Sequence, residues 1–247
     1  MGLFSFHQPK YELIPRPRGK TSAVIVAAGS STRMNSVNKQ FLELGGMPVL
    51  ARTVQAFEFT DIISEIILCV KREDLQRTRE LVEQYRFKKV KDIALGGDTR
   101  QASVLNALKL VSEDAKWIAI HDGARPFVTP DEITRCALAC EAYGAAALAV
   151  PVKDTIKVVD GQGFIASTPE RDTLRAVQTP QVFLLEDYRA AVEQLGDAVY
   201  SFTDDCRLME QVGKPVFLVD GSYENIKITT PEDIPAAQAI FKNRGSE

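Results

Sequence analysis

The chain has 247 residues, of which 45% are apolar, so it is long enough for one large α/β domain or two small ones and too apolar to be disordered throughout. Lysine and arginine number 30 against 33 aspartates and glutamates, which gives a formal net charge of −3. This balance argues against general nucleic-acid binding, which needs a basic surface, so an anionic ligand must be met by local basic residues.

The first 20 residues, MGLFSFHQPKYELIPRPRGK, are predicted to form an extension outside the folded domain. They lack the long apolar segment and the cleavage site of a secretory signal, and Phe6 stands where a myristoylation motif requires serine or threonine. Elsewhere, no apolar run approaches the roughly 20 residues that span a bilayer. We therefore expect a cytoplasmic chain with no membrane segment.

Predicted strands and helices alternate from residue 22 onward. Continuous apolar runs at 22–28, 64–70, 117–122 and 145–152 are typical of strands buried on both faces. Helices are predicted at 48–58, at 72–84, in the segment that follows the GGD turn, and at 130–144. Asp98 and Gln101 resemble the capping box of the third of these helices. This order predicts an α/β fold with a parallel sheet and helices on both faces.

Residues 153–183 interrupt the alternation. Apolar residues alternate at Ile156 and Val158, a Gly-Gln-Gly turn follows, and a polar segment returns, which together predict an extended hairpin. Because a hairpin alone is marginally stable in water, we expect this one to pack against something, and a partner subunit is one candidate. Later, ENIKITTPEDI (224–234) predicts a strand and then a helix that begins near Pro231.

The four cysteines form no CxxC pair. Cys136 and Cys140 are one helical turn apart, but no histidine is near them in sequence to complete a metal site. We interpret these two, Cys69 and Cys206 as reduced thiols of a cytosolic protein rather than as zinc ligands.

Three segments are predicted to meet beyond the carboxyl ends of the strands, where parallel sheets bind ligands. They are the loop AAGSSTRM, the GGD turn and the HDGARP turn. The first has Gly29 as its one glycine and matches neither GxxxxGK[ST] nor GxGxxG. Arg33 lies near the end of this loop and Lys39 just beyond it, and backbone N–H groups with two cations can surround a polyphosphate.

The HDGARP turn and the late strand supply further candidates. Asp122 ends a strand, a position suited to a hard cation. We interpret His121 as a structural histidine, while Arg125 is either a surface residue or an anion contact. Lys227 falls within the apolar pattern of the predicted strand, and an anionic ligand would account for an otherwise costly buried lysine.

Together these segments resemble a known family. AAGSSTRM, NKQ, GGDTRQASV, IHDGAR, PVKDTIK, QTPQ, TDD and NIKITTPED occur in this order. They closely resemble the 2-C-methyl-D-erythritol 4-phosphate cytidylyltransferases of the non-mevalonate isoprenoid pathway over roughly residues 21 to 240. The resemblance implies transfer of CMP from CTP to 2-C-methyl-D-erythritol 4-phosphate, with release of pyrophosphate and with Mg²⁺ as cofactor.

The resemblance also implies an architecture. It indicates a single Rossmann-like domain at 21–247, of the nucleotide-diphospho-sugar transferase type. It further implies a homodimer joined by a β-arm at about 152–178. A chain that ends at residue 247 is expected to have no fused second enzyme.

The roles that the resemblance implies fall into three groups. The nucleotide would be contacted by Ala27, Ala28, Gly29, Arg33 and Lys39 at the triphosphate and by Gly97, Asp98 and Ser103 at the cytosine and ribose. Asp122 would hold Mg²⁺. The polyol phosphate would be held by Thr203 and Lys227, by Arg125, Thr155 and Arg171 from the other subunit's arm, and by Thr179 in support. Ser31 departs from the family, whose loops often have a second glycine there.

The expected chemistry suits these residue types. The acceptor is a phosphate monoester that is already charged at neutral pH, so it needs no general base. Arg33, Lys39 and Lys227 would act, with Mg²⁺, by position and by electrostatic stabilisation of the charge that grows at the α-phosphorus.

Three alternatives remain open from the sequence. A ribitol 5-phosphate cytidylyltransferase shares the HD-x-x-R, TPQ and NIKITTP segments, although VAAG and PVKDTIK favour the methylerythritol family. An NAD-dependent dehydrogenase is disfavoured by the missing GxGxxG. A non-catalytic nucleotide-binding module is disfavoured by the joint presence of Arg33, Lys39, Asp122 and Lys227.

Overall fold

The computed structural model of the chain describes residues 19–29 and 38–245. The strands within these residues are β1 (Lys20–Val26), β2 (Glu43–Leu44), β3 (Met47–Pro48), β4 (Ile63–Val70), β5 (Val90–Leu95), β6 (Ala115–Asp122), β7 (Ala145–Pro151), β8 (Val158–Val159), β9 (Ile165–Ser167), β10 (Arg175–Leu184) and β11 (Phe217–Asp220). The α-helices there are α1 (Val49–Glu58), α2 (Leu75–Tyr85), α3 (Arg100–Leu108), α4 (Pro130–Tyr143), α5 (Leu185–Leu195), α6 (Asp205–Gln211) and α7 (Asp233–Arg244).

A seven-stranded sheet runs through these residues in the order β11-β7-β10-β6-β1-β4-β5. Strand β10 is antiparallel to its neighbours β6 and β7, and the other neighbouring strands are parallel to each other. The predicted mostly parallel sheet is therefore confirmed. Of the predicted 1–20 extension, residues 1–18 lie outside the described residues, while Lys20 already begins β1.

Successive residues of β1 point into two different cores. Ala23 and Ile25 pack with Phe57 of α1 on one face, and Val24 packs with Tyr188 of α5 on the other. This alternation is what a central strand covered on both faces requires. Helices cover both faces, as predicted. Within the described residues, no helix has the length and apolar character needed to cross a bilayer.

Helix α4 shows why some element boundaries were predictable. Thr129 caps it and forms a capping box with Glu132, while Pro130 occupies the first turn. Gly144 ends it with a φ of +86°, a left-handed conformation that favours glycine. The predicted bounds at 130 and 144 are confirmed.

Two predicted details are wrong. Residues 224–230 form no strand, although the predicted helix does follow, as α7 from Asp233, two residues after Pro231. The Asp233 carboxylate accepts hydrogen bonds from the backbone N–H groups of Thr229 and Thr230. The cap of α3 is Thr99 rather than Asp98, because the Thr99 hydroxyl accepts from the N–H of Ala102 at 3.0 Å.

The segment between β7 and β10 leaves the sheet. Strands β8 and β9 pair antiparallel, which confirms a hairpin, although residues 175–183 return as β10 in the main sheet. We name residues 152–174 the arm. Most of its large apolar side chains are exposed, with Phe164 at 69% and Ile165 at 63%.

The cysteines are buried and free, as predicted. Cys136 and Cys140 are buried residues of α4 that pack into the core, and burial raises the pKa of both thiols above its ordinary value. These thiols therefore stay protonated at neutral pH.

The side chain of Glu65 on β4 forms hydrogen bonds to β1 and to the segment before β6. Its Oε1 accepts from Ser22 Oγ at 2.6 Å and from the N–H of Ser112 at 2.8 Å, and its Oε2 accepts from Ser112 Oγ at 2.6 Å. Burial acts to raise the pKa of Glu65, but these hydrogen bonds outweigh burial and lower it to about 2. The ionised carboxylate thus stabilises the fold above the ordinary glutamate pKa of about 4.5, and that stabilisation is lost as the pH falls toward 2.

We expect Glu65→Gln to lower the free energy of unfolding at pH 7 by about 2–3 kcal/mol. The difference from wild type should narrow as the pH falls from about 5 toward 3, because the wild-type carboxylate starts to protonate in the unfolded chain first. Denaturant unfolding across this pH range measures it. The exposed Glu73→Gln is the matched control, and a pH-independent gap for Glu65→Gln would contradict the assignment.

Candidate functional site

A cleft of about 480 Å³ opens at the carboxyl ends of β1 and β6. Val26 and Asp122, the last residues of these two strands, are register partners and both line it. Eight predicted site residues are brought together around it, namely Ala28, Gly29, Lys39, Gly97, Asp98, Ser103, Asp122 and Lys227.

The other predicted site residues lie elsewhere. Ala27 and Thr179 are buried behind the cleft wall, and Thr203 is exposed just before α6. Thr155 and Arg171 are exposed on the arm, where Arg171 Nη1 donates to Lys153 O at 3.4 Å. Arg33 and Ser31 fall outside the described residues.

Backbone hydrogen bonds fix the turns that were predicted to bind ligands onto the ends of the strands. The N–H of Gly123 donates to Val26 O at 2.8 Å, and the N–H of Gly96 donates to Val70 O at 2.8 Å. A Cβ atom at position 96 would lie 2.2 Å from Ala28 Cβ, so only glycine allows the GGD turn to approach the loop after β1 this closely. The shape of the cleft therefore depends on the close contact between Gly96 and Ala28.

Side-chain hydrogen bonds shape the GGD turn. Ser103 Oγ accepts from the N–H of Gly97 at 3.1 Å and donates to Thr99 O at 2.9 Å. Since Ser103 lies in α3, these bonds fix the turn on the start of that helix. The predicted nucleotide residues Gly97, Asp98 and Ser103 thus form one hydrogen-bonded wall of the cleft.

Lys39 reaches the cleft from a short 3₁₀ turn at Lys39–Phe41. Asn38 caps this turn by accepting from the N–H of Gln40 at 3.2 Å, and its Nδ2 donates to Asp74 Oδ1 at 2.7 Å. The backbone that carries Lys39 is therefore fixed on both sides, by the cap and by a neighbouring segment.

Asp122 is the carboxylate on the floor of the cleft, and three cations surround it. Lys227 Nζ is 2.8 Å and Arg125 Nε 3.6 Å from its Oδ2. Arg100 Nε is 3.4 Å from its Oδ1. Burial acts to raise the pKa of Asp122, but the attraction of the three cations outweighs burial and holds that pKa well below its ordinary value. Asp122 is thus ionised throughout the physiological pH range, and the floor keeps a net positive charge.

The structure corrects the interpretation of Lys227. This residue lies in an irregular segment rather than a strand, its side chain is 38% exposed, and it is ion-paired with Asp122. The argument from an unpaired buried lysine is therefore wrong, although Lys227 does line the cleft.

Arg125 also differs from its predicted setting. It follows β6 in the core of the domain and is not part of the arm, so its assignment to the other subunit's arm is wrong. Its Nη1 donates to Asn225 O at 2.7 Å. Arg125 thus connects Asp122 to the segment that carries Lys227.

His121 is a structural histidine, as predicted. Its Nε2 lies 3.2 Å from Arg125 O, which can only accept, so Nε2 carries the proton and Nδ1 accepts from Thr179 Oγ1 at 3.0 Å. The same Thr179 oxygen accepts from the N–H of Asp122 at 3.1 Å. Burial lowers the pKa of His121 to about 3, so it is neutral and holds Thr179 and Asp122 in place.

Arg100 is a cleft residue that the sequence analysis missed. Besides Asp122 it contacts Asp205, with Nη1 2.7 Å from Oδ2. An arginine in the first turn of a helix is normally a surface residue, and only the fold brings Asp205 beside it. The family segments GGDTRQASV and TDD contain both residues, which is the one sequence signal that pointed to them.

The residues present fit the protein's share of a Mg²⁺ site. Within the described residues, no group of three or more His, Cys, Asp or Glu side chains is placed to hold a metal by itself. Mg²⁺ is commonly held by one or two carboxylates together with substrate phosphates and water. Asp122 is one such carboxylate in a cleft, and its contact to Arg100 through Oδ1 is long, at 3.4 Å.

The comparisons with known proteins agree with each other. The family model described as 2-C-methyl-D-erythritol 4-phosphate cytidylyltransferase matches residues 21–243. Proteins of that name from Desulforamulus reducens and Caldanaerobacter subterraneus subsp. tengcongensis are each 46% identical to this chain; the first match covers 92% of this chain and 97% of the relative, the second 90% and 98%.

Solved structures agree as well. The 4-diphosphocytidyl-2C-methyl-D-erythritol synthase of Anaerococcus prevotii superposes with a TM-score of 0.82 at 32% identity, covering 91% of this chain and 96% of that one. The 2-C-methyl-D-erythritol 4-phosphate cytidylyltransferase of Thermus thermophilus gives a TM-score of 0.73 at 31% identity, covering 90% and 99%.

Proposed function

The chain belongs to the 2-C-methyl-D-erythritol 4-phosphate cytidylyltransferase family, and from this premise we propose how its cleft performs the reaction. The enzyme transfers CMP from CTP to 2-C-methyl-D-erythritol 4-phosphate, giving 4-diphosphocytidyl-2-C-methyl-D-erythritol and pyrophosphate in isoprenoid precursor synthesis. The observation that carries the site assignment is the cleft itself, where Asp122 and Lys227 face Lys39 and the GGD turn.

The reaction needs charge stabilisation more than proton transfer. An oxygen of the acceptor phosphate forms a bond to the α-phosphorus of CTP, while the bond from that phosphorus to the pyrophosphate oxygen breaks and its electron pair leaves with pyrophosphate. Both reactants are anions. Preorganised cations are therefore the main catalytic device, and His121, which is neutral and buried, has no part in the chemistry.

We propose that Lys39 and Lys227 bind different reactants, Lys39 the triphosphate of CTP and Lys227 the acceptor phosphate. Lys39, on its capped turn, binds the triphosphate and stabilises the charge that develops there, together with Arg33 of the preceding loop AAGSSTRM. Lys227 exchanges Asp122 for the acceptor phosphate when that substrate binds. The 2.8 Å pair of Lys227 with Asp122 keeps the ammonium group aimed at the cleft floor in the meantime.

The nucleotide base is placed by the opposite wall. Gly97, Asp98 and Ser103 offer backbone and side-chain polar groups on a turn that is fixed to α3. When bound, Mg²⁺ would supply positive charge near the α-phosphate, and Asp122 is the residue that would hold it. Thr179 supports Asp122 through its backbone N–H.

The remaining predicted substrate contacts, from Thr155 and Arg171, require a second subunit. We propose a single domain over 21–247 whose arm reaches a second copy, because the arm exposes Phe164, Ile165 and other apolar side chains. Thr155 and Arg171 would then serve the partner's acceptor site, beside that subunit's Thr203 and Lys227. The four reduced cysteines support a cytoplasmic location.

The function is tested by pyrophosphate release with each of the four nucleoside triphosphates against two acceptors, 2-C-methyl-D-erythritol 4-phosphate and ribitol 5-phosphate. We expect release with CTP and the methylerythritol acceptor only. Faster turnover of ribitol 5-phosphate would identify the alternative cytidylyltransferase. CTP binding without any release would indicate a non-catalytic module.

The arm predicts complementation between two inactive variants. Arg171→Ala damages the partner's site, and Lys227→Ala damages the site of its own chain. In a mixed dimer one site receives both changes and the other receives neither, as follows from a two-fold interface. Random mixing makes about half of the dimers mixed, so the mixture should recover about a quarter of wild-type activity per site.

The control for complementation is a mixture of Lys39→Ala and Lys227→Ala chains. Both changes act on the site of their own chain, so each site of the mixed dimer stays damaged and no activity should return. Subunit exchange is verified with differently tagged chains. If the Arg171→Ala and Lys227→Ala mixture stays inactive after verified exchange, Arg171 does not act on the partner's site.

A further inference from the structure

A buried ion pair connects the cleft to the start of α6. The Arg100 side chain is 21% exposed and lines the cleft. Its Nη1 is 2.7 Å from Oδ2 of Asp205, a residue with no exposed surface. Arg100 thus stands between Asp122 on the cleft floor and a carboxylate that no solute can touch.

Asp205 has a complete set of donors around it. Tyr188 Oη donates to its Oδ1 at 2.7 Å, and Gln101 Nε2 donates to the same oxygen at 3.2 Å. Burial raises the pKa of Tyr188 well above its ordinary value, so its hydroxyl remains a donor at neutral pH. With Oδ1 occupied by neutral donors, Oδ2 is left to the guanidinium of Arg100.

The backbone of Asp205 is fixed from the sheet. Gln181 of β10 accepts with its Oε1 from the N–H groups of Asp205 and Cys206, at 3.0 and 3.1 Å. This contact accounts for two family segments, QTPQ and TDD, that the substrate assignments leave largely unused. The position of Asp205 is therefore set by β10, α3 and α5 together.

A purely structural role does not explain this arrangement. Burying an ion pair costs solvation energy, and apolar side chains of similar volume usually stabilise a core as well or better. Apolar residues such as Val104 and Leu208 already surround this region. The positive charge of Arg100 has a use in ligand binding, because Arg100 lines the cleft. Its guanidinium presents a planar fork of donors that matches phosphate oxygens.

We propose that Arg100 is a further triphosphate-binding residue and that Asp205 is the positioning residue that aims it into the cleft. This inference rests on the proposed function, in which CTP occupies that cleft. Lys39 and Arg100 then meet the triphosphate from different segments, the turn after the first loop and the first turn of α3.

The binding half is tested by calorimetric titration of the full chain with CTP, without acceptor. Arg100→Gln is expected to weaken CTP binding about 10- to 100-fold, the loss typical of a hydrogen bond to a charged group. Arg100→Lys keeps the charge but not the fork, and should recover only part of the affinity. Arg135→Gln is the matched control, because Arg135 also pairs with an aspartate but lies on α4 outside the cleft.

The positioning half is tested by a double-mutant cycle. Asp205→Asn should weaken CTP binding although no substrate touches it, and this loss should vanish in the Arg100→Gln background. The KM for the acceptor should stay within about twofold in both single variants, whereas general damage to the fold would raise both KM values. Tyr188→Phe is the second variant, with a smaller loss and the same dependence on Arg100, if Asp205→Asn does not fold.

The outcomes separate the two proposals. Wild-type CTP affinity in Arg100→Gln would overturn the binding role, and losses that add in the double variant would overturn the positioning role. If the wild-type chain itself does not bind CTP, the proposed function fails rather than the assignment of Arg100.

Discussion

Replacing Asp122 by asparagine is expected to lower turnover by about 10²- to 10³-fold and to remove the response of CTP binding to Mg²⁺. The amide keeps the shape of the side chain but not the negative charge that a hard cation prefers. The measurement is kcat as a function of Mg²⁺ concentration, together with CTP affinity with and without the metal.

Because Asp122 forms ion pairs, Asp122→Asn is also expected to destabilise the fold. Lys227 and Arg125 lose their counter-ion in this variant, while Arg100 keeps Asp205. The melting temperature should fall, because a buried pair that loses one partner leaves an uncompensated charge. The same unpaired cations should bind metal-free CTP at least as well as in wild type. Asp220→Asn is the control, since Asp220 also ends a strand of the sheet but does not line the cleft.

If the Asp122→Asn chain keeps its Mg²⁺ response, Asp122 does not bind the metal. A chain that loses metal-free CTP affinity as well would indicate that the substitution collapses the cleft. The two results are distinguishable because the first is read from metal dependence and the second from binding without metal.

Lys39→Met is expected to reduce kcat/KM for CTP by about 10²- to 10³-fold, the effect of removing one preorganised contact to developing charge. Methionine keeps most of the length and the apolar stem of the lysine, which is only 9% exposed. The capped turn around it should therefore persist, and the melting temperature should change little. Initial rates at varied CTP concentration measure the effect.

Lys71→Met is the matched control for Lys39. Lys71 follows β4 at the same edge of the sheet, but it pairs with Glu73 at 3.3 Å and does not line the cleft. Near-normal kcat/KM in Lys39→Met, or an early melting transition, would show that Lys39 supports the turn rather than the triphosphate.

The strands at the centre of the sheet were predictable because both of their faces are buried. The runs that became β1, β4, β6 and β7 are continuous and apolar, and the predicted bounds differ from the observed ones by two residues or fewer. The edge strand β5 was missed since Lys91 and Asp92 are exposed and break the apolar run. Strand β10 was interpreted as part of a hairpin because QTPQ contains a proline and polar residues.

The site was predictable where one segment carries the function and unpredictable where two distant segments share it. Asp122, Lys39 and Gly97 stand in segments that a strand end or a turn marks locally. Arg100 and Asp205 are more than 100 residues apart in sequence, and only the fold shows that they form a pair. Lys227 was placed at the cleft for a wrong reason, since its partner Asp122 is equally distant.

The central claim is that CTP is bound and attacked in the cleft between Lys39, the GGD turn and Asp122. A crystal structure of the chain with Mg²⁺ and a CTP analogue that cannot be cleaved tests it most directly. We predict cytosine against Gly97 and Asp98, the triphosphate within hydrogen-bonding distance of Lys39, and Mg²⁺ on Asp122. A nucleotide bound elsewhere, or a triphosphate that points away from Lys39, would contradict the account.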